Sequence, residues 1–106
     1  MTSDEKQSML LMQLVALFQT AALQQMGKLK NPVTDAVEKD LQQAMISIDM
    51  IEMLHGKMKG NLSNEEERMI STVLRDLRLN YVDEAQKEAP PPQPSPAAEG
   101  EKGPSA

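Results

Sequence analysis

Apolar positions recur at helical spacing in three stretches of the chain and nowhere alternate as they do in a strand. The first stretch covers about 4–26, with Thr2 and Ser3 as cap candidates and the acids Asp4 and Glu5 in its first turn. Gly27 stops it. The second is predicted over about 35–58, and Gly60 just beyond it is placed as a left-handed C-terminal residue. Lys30, Asn31 and Pro32 separate the two, because a residue before proline is pushed out of the helical region. The third is predicted over about 64–85. Ser63 and Glu66 frame its start as a capping box, the hydroxyl taking the third amide while Glu66 reaches back. The expected fold class is all-α, a three-helix bundle-like domain over about 1–85.

The faces of these helices differ. Projected at about 100° per residue, the second carries Val37, Leu41, Ala44, Met45, Ile48, Ile51 and Met58 on one stripe, with Met50, Met53 and Leu54 on a further ridge. The third carries Ile70, Val73, Leu74, Leu77 and Tyr81, leaving Arg68, Arg75, Asp76 and Asn80 toward water. Both are ordinary one-sided bundle helices. The first has no charge between Lys6 and Lys28, and its polar strip of Gln13, Thr20 and Gln24 spans only about 40°. Leu10, Leu11, Leu14, Val15, Leu17, Phe18, Ala21 and Ala22 cover most of the remainder, together with Leu23 and Met26. A helix in a three-helix bundle buries about a third of its circumference, so this one needs a further cover.

Lipid and protein are the available covers. Four glutamines within 9–26 and an acidic N-terminal flank speak against a transmembrane span, and the missing basic n-region speaks against a signal peptide. A second copy of the chain is the expected cover, since symmetric dimers are the commonest assemblies and a small domain gains most from one. The interface is placed on Leu10, Leu11, Leu14, Val15, Leu17, Phe18, Ala21 and Ala22. The alternative is a peripheral membrane protein that lays this helix at the lipid interface, although a Lys-rich polar face is missing.

Composition narrows the picture. A chain of 106 residues holds one small domain and leaves no room for a cleft between two. Its only aromatics are Phe18 and Tyr81, against nine methionines, so flexible side chains supply the apolar volume. The absence of cysteine excludes a disulfide scaffold, a thiolate metal site and a cysteine nucleophile, and makes the cytoplasm the default address. A net charge of −5 repels phosphate backbones, so nucleic acid is not expected as a partner. All prolines except Pro32 lie beyond residue 89, where no large apolar residue remains, and 86–106 is expected to be a disordered tail. From Asp83 onward five acids oppose two bases, which assigns much of the net charge to that appendage.

No catalytic constellation emerges. His55 is the only histidine, so neither a Ser-His-Asp arrangement nor a histidine metal pair can form within one chain; it is read as a packing residue near a negative helix end. Met50, Met53, His55 and Met58 fan over more than a third of the helix circumference and do not converge on a soft metal ion. Glu65, Glu66 and Glu67 occupy consecutive first-turn positions, where the helix dipole explains them. Gly56 and Gly60 follow no phosphate-cradling spacing, and Arg68 and Arg75 with Lys57 and Lys59 form a small solvated basic patch. No cofactor, metal or enzymatic activity is expected.

Residues 57–82 read KMKGNLSNEEERMISTVLRDLRLNYV. With Asn31-Pro32, Asp40-Leu41 and the run from Ile48 through Leu54, this text resembles a family of short bacterial proteins known only as a domain of unknown function. The turn Gly60-Asn61-Leu62 followed by Leu77-Arg78 and Tyr81-Val82 carries most of the resemblance, which covers about 9–82. Met58, Gly56 and His55 depart from the family pattern. The resemblance implies a small cytoplasmic helical protein with no activity to carry over. It also directs attention to Asp49 and Arg78, expected to form a structural ion pair between helices two and three. The functional expectation is a non-catalytic interaction or assembly module whose partner is itself, another protein, or both.

Overall fold

The structure, a computed structural model, describes residues 1–88; the expected tail over 89–106 lies outside them. Three helices follow one another, α1 (Ser3–Met26), α2 (Leu41–Lys57) and α3 (Asn64–Glu88). Thr2 caps α1 in a reciprocal box, with its Oγ1 accepting from the Glu5 amide at 3.1 Å and Glu5 Oε1 accepting from the Thr2 amide at 2.8 Å. At the other end Gly27 adopts a φ of 87°, and the amides of Gly27 and Lys28 donate back to Gln24 and Leu23. That double bond is the Schellman stop, which needs a residue without a Cβ penalty in the left-handed region.

The second helix starts six residues later than 35. Between Gly27 and Asp40 the chain folds into a compact loop: Asn31 Oδ1 accepts from the Val33 amide, and the Asn31 and Asp35 amides donate to Ala36 and Asn31 carbonyls. Asp35 sits at φ 56°, a conformation that Asp tolerates and that ends any helical run. These local bonds outcompete a first helical turn over 35–40. Val37 therefore leaves the predicted stripe and stands exposed in the loop. The cap is Asp40, whose Oδ1 accepts from the Gln43 amide at 3.1 Å while its own amide donates to Gln25 at 2.7 Å. Asp40→Ala is expected to lower unfolding stability by about 1 kcal/mol in urea titration followed by circular dichroism.

The capping box at α3 forms as its sequence predicts: Ser63 Oγ accepts from the Glu66 amide at 3.1 Å, and Glu66 Oε1 accepts from the Ser63 amide at 2.8 Å. Gly60 is left-handed, at φ 91°, but stands in the α2–α3 turn after α2 has already ended at Lys57. Residues 86–88, expected in the tail, extend α3 instead.

The three helices enclose one core. Leu11, Val15, Ala22 and Met26 come from α1, Ala44, Ile48 and Ile51 from α2, and Ile70, Val73, Leu74 and Leu77 from α3. Phe18, Leu41, Met58, Leu62 and Tyr81 close its edges. The α1 stripe at 11, 15, 18, 22 and 26 is the spacing by which one helical face meets two neighbours. A buried polar tie joins α1 to α2. With its amide nitrogen turned inward, Gln25 donates to Ser47 Oγ at 2.7 Å and to the Gln43 carbonyl at 3.0 Å, so the buried Ser47 oxygen has a hydrogen-bond partner on α1.

Candidate functional site

The eight α1 residues expected to face a partner divide into two sets. Leu11, Val15 and Ala22 are buried in the core, which corrects their assignment to an interface; Phe18 and Ala21 are half-buried. The physical reason is that a helix apolar on most sides offers several stripes, and the bundle selects the one whose i, i+4, i+7 spacing matches α2 and α3. Leu10, Leu14 and Leu17 remain outside, 51%, 39% and 68% exposed, with Met9 and Met12 also uncovered. Gln13 and Thr20 lie exposed between these flanks.

On the α3 side of α1, Ser8 and Met12 border an open groove of about 490 Å³ whose opposite wall is Met69, Thr72 and Val73, with Glu65, Glu66 and Arg68 at its end. Glu66 is already engaged. The Ser63 amide foremost, then the Ser8 hydroxyl, hold its carboxyl below the usual carboxylate range. The groove thus has an apolar floor and a rim whose best-placed acid is committed to capping.

Two charged clusters lie elsewhere. His55, half-buried near the end of α2, reaches Glu67 Oε2 on α3, and the same oxygen accepts from Ser71 Oγ at 3.1 Å. Both neighbours converge on the carboxylate, so Ser71 is not hydrogen-bonded to His55, and no serine nucleophile is activated here. The His55 contact is the first cause, and Ser71 a further one, that keeps Glu67 below its ordinary value. The expected packing role of His55 is thereby refined: it bridges α2 to α3. Met50 and Met53, on the other side of α2, are exposed, whereas Met58 packs on the core. Among the described residues no three metal-ligating side chains are grouped to hold an ion.

The second cluster joins residues far apart in the sequence. Glu84 lies on the buried stripe of α3, one heptad beyond Leu77, and is 6% exposed. Its carboxylate receives Lys28 Nζ at 2.8 Å and Lys39 Nζ at 2.9 Å from the α1–α2 loop, and Lys87 Nζ at 2.9 Å from its own helix. Lys28 also meets Asp83 at 2.9 Å, and Lys39 meets Glu88 at 3.5 Å. Lys28 foremost, then Lys39 and Lys87, hold the Glu84 carboxyl far below its ordinary value, and the three ammonium groups are raised in turn. Three cations and three carboxylates balance, and every partner is accounted for within the fold. The cluster is a clamp that pins the loop to α3. It also corrects the assignment of charge from Asp83 onward to a solvated appendage.

The expected Asp49–Arg78 pair is not among the ion pairs of the described residues. Arg78 Nη2 meets Glu52 Oε2 at 3.0 Å instead. Side chains lean toward the N-terminus of their own helix, so in an antiparallel pair Glu52 and Arg78 lean toward each other, while the shorter Asp49 projects into solvent. Because both partners are about half exposed, Glu52→Gln is expected to change stability by less than about 1 kcal/mol, and Asp49→Asn by nothing measurable in thermal melts.

The model of one protein family, described as Domain of unknown function (DUF1844), matches residues 8–84. No curated protein and no solved structure shows a significant match to the chain.

Proposed function

Since the chain belongs to the family described as Domain of unknown function (DUF1844), we propose its role from its surface: a non-catalytic assembly module that self-associates through the uncovered side of α1. The observation that carries this reading is the row Leu10, Leu14 and Leu17, 39% to 68% exposed on one flank of a helix with no charge between Lys6 and Lys28. Isolated exposed apolar residues are normal on a monomer; a contiguous row along one helix marks a surface that another molecule covers. A second copy is the simplest partner because it is always present at the chain's own concentration, and two-fold contacts are the commonest. The absence of cysteine supports placing the module in the cytoplasm, and the net charge of −5 supports protein rather than nucleic acid as the partner. Sedimentation equilibrium of the full chain at micromolar concentration is expected to give a dimer or larger species. A monomer at all accessible concentrations overturns the reading.

One observation favours a second reading. α1 is 24 residues long and by length and composition apolar enough to cross a membrane. A peripheral membrane protein would use the same exposed row at a lipid interface. Flotation with neutral and anionic lipid vesicles separates the two: a chain that floats while remaining monomeric in solution supports lipid as the cover.

A further inference from the structure

The uncovered surface is wider than α1. Gln25, tied to Ser47, marks the flank of α1 that meets α2. Turning outward from Gln25, Leu14, Ala21, Leu10 and Leu17 follow within about 80° of arc. Turning outward from Ser47 on α2, Met50, Ile46 and Met53 follow within about 120° of arc. The opposite flanks of both helices face α3: Met12 borders the groove toward Met69 and Val73, and Glu52 and His55 pair with Arg78 and Glu67. The two outward turns therefore lie on the same side of the α1–α2 pair. Because that pair is antiparallel, as the contacts from Gln25 to Ser47 and Asp40 require, Leu17 and Ala21 stand level with Met50 and Met53.

Ile46, Met50 and Met53 are 40% to 50% exposed, and of the nine apolar residues of α2 the core fully buries only Ala44, Ile48 and Ile51. We propose that α1 and α2 form one docking face, with Leu10, Leu14 and Leu17 continued by Ile46, Met50 and Met53, and that its occupant is the same face of a second copy. This rests on the reading of α1 as a self-association surface and extends it to a seam of four helices, two from each chain. The six side chains together present on the order of 500 Å² of apolar surface, at the upper end of what a monomer shows. Two such faces with their polar borders reach about 1,200 Å², the lower bound for a specific stable interface, which α1 alone does not reach. No ion has to be desolvated at the centre, since Asp49, Lys57 and Lys6 stand at the borders, and methionine suits a surface that must fit its own image.

The test uses the full chain. Met50→Glu with Met53→Glu is compared with Leu14→Glu with Leu17→Glu by sedimentation equilibrium, with circular dichroism confirming that helix content is kept. Both pairs are expected to weaken the dimer at least tenfold. A dimer lost only with the α1 pair overturns the two-helix face while leaving self-association through α1 intact; a monomeric parent chain overturns both. Should the α2 pair unfold, methyl spectra of the unaltered chain decide. The Met50 and Met53 signals are expected to shift with concentration while Met58 holds still, and invariance of Met50 and Met53 across the dimerisation range overturns the inference.

Discussion

Replacing Leu14 and Leu17 together by glutamate is expected to convert the assembled chain to a folded monomer, weakening self-association by about 100-fold or more. Both side chains already lie partly in water in the single chain, 39% and 68% exposed, so the monomer loses little packing. In a two-fold assembly the same change places four carboxylates in an interface where the unsubstituted helix offers no basic group from Lys6 to Lys28 to receive them. The cost therefore falls almost wholly on association. Light scattering reads the mass, and far-ultraviolet dichroism reads the retained helix content. A variant that keeps the parent's mass shows that the row on α1 is not buried by a partner.

Glu84→Lys is expected to be the most damaging single charge change in the fold. It sets a fourth ammonium among Lys28, Lys39 and Lys87, removes the acceptor that all three share, and lowers the melting temperature by about 10 °C or more. The loop from Gly27 to Asp40 loses its tether to α3, so amide exchange in that loop is expected to rise before exchange in the helices does. The same site gives the protein a pH signature. A carboxyl held below its ordinary value of 4.5 contributes stability that is fully present above that value and is lost as the pH falls toward the lowered value. The raised lysines act in the opposite sense: their contribution is present below 10.5 and is lost as the pH rises through their raised values. Glu84→Gln is therefore expected to flatten the loss of thermal stability below pH 4.5 relative to the parent chain. An unchanged acid limb assigns that loss to Glu5, Glu66, Glu67 and Asp83, the other lowered carboxylates.

The helices were legible because their signals are local. The capping box of Ser63 with Glu66, the glycine stop at Gly27 and the stripe from Ile70 to Leu77 all lie within a few residues of sequence, and each is found where its pattern places it. Helix α2 began late because Asn31 and Asp35 satisfy their own neighbourhood with turn hydrogen bonds, a competition that apolar periodicity does not register. The Glu84 clamp depends on Lys28 and Lys39, some 45 to 56 residues away, and only one trace of it stood in the sequence: an acid on the stripe that continues from Leu77 through Tyr81. The excess of apolar faces on α1 was legible, but which face the bundle would take was not. Leu11 and Leu10 are adjacent and chemically identical, and only the positions of α2 and α3 decide that one is core and the other surface.

The absence of cysteine makes a single engineered thiol a unique label. A nitroxide placed at Gln13, on the exposed strip beside Leu10, Leu14 and Leu17, and in a second preparation at Arg75, exposed on α3, measures the distance between equivalent positions in two copies by dipolar spin coupling. Burial of the α1 flank by a second chain is expected to give a short, concentration-dependent distance at Gln13 and a much longer one at Arg75. Absence of any coupling at Gln13, or a shorter distance at Arg75 than at Gln13, contradicts assembly through α1.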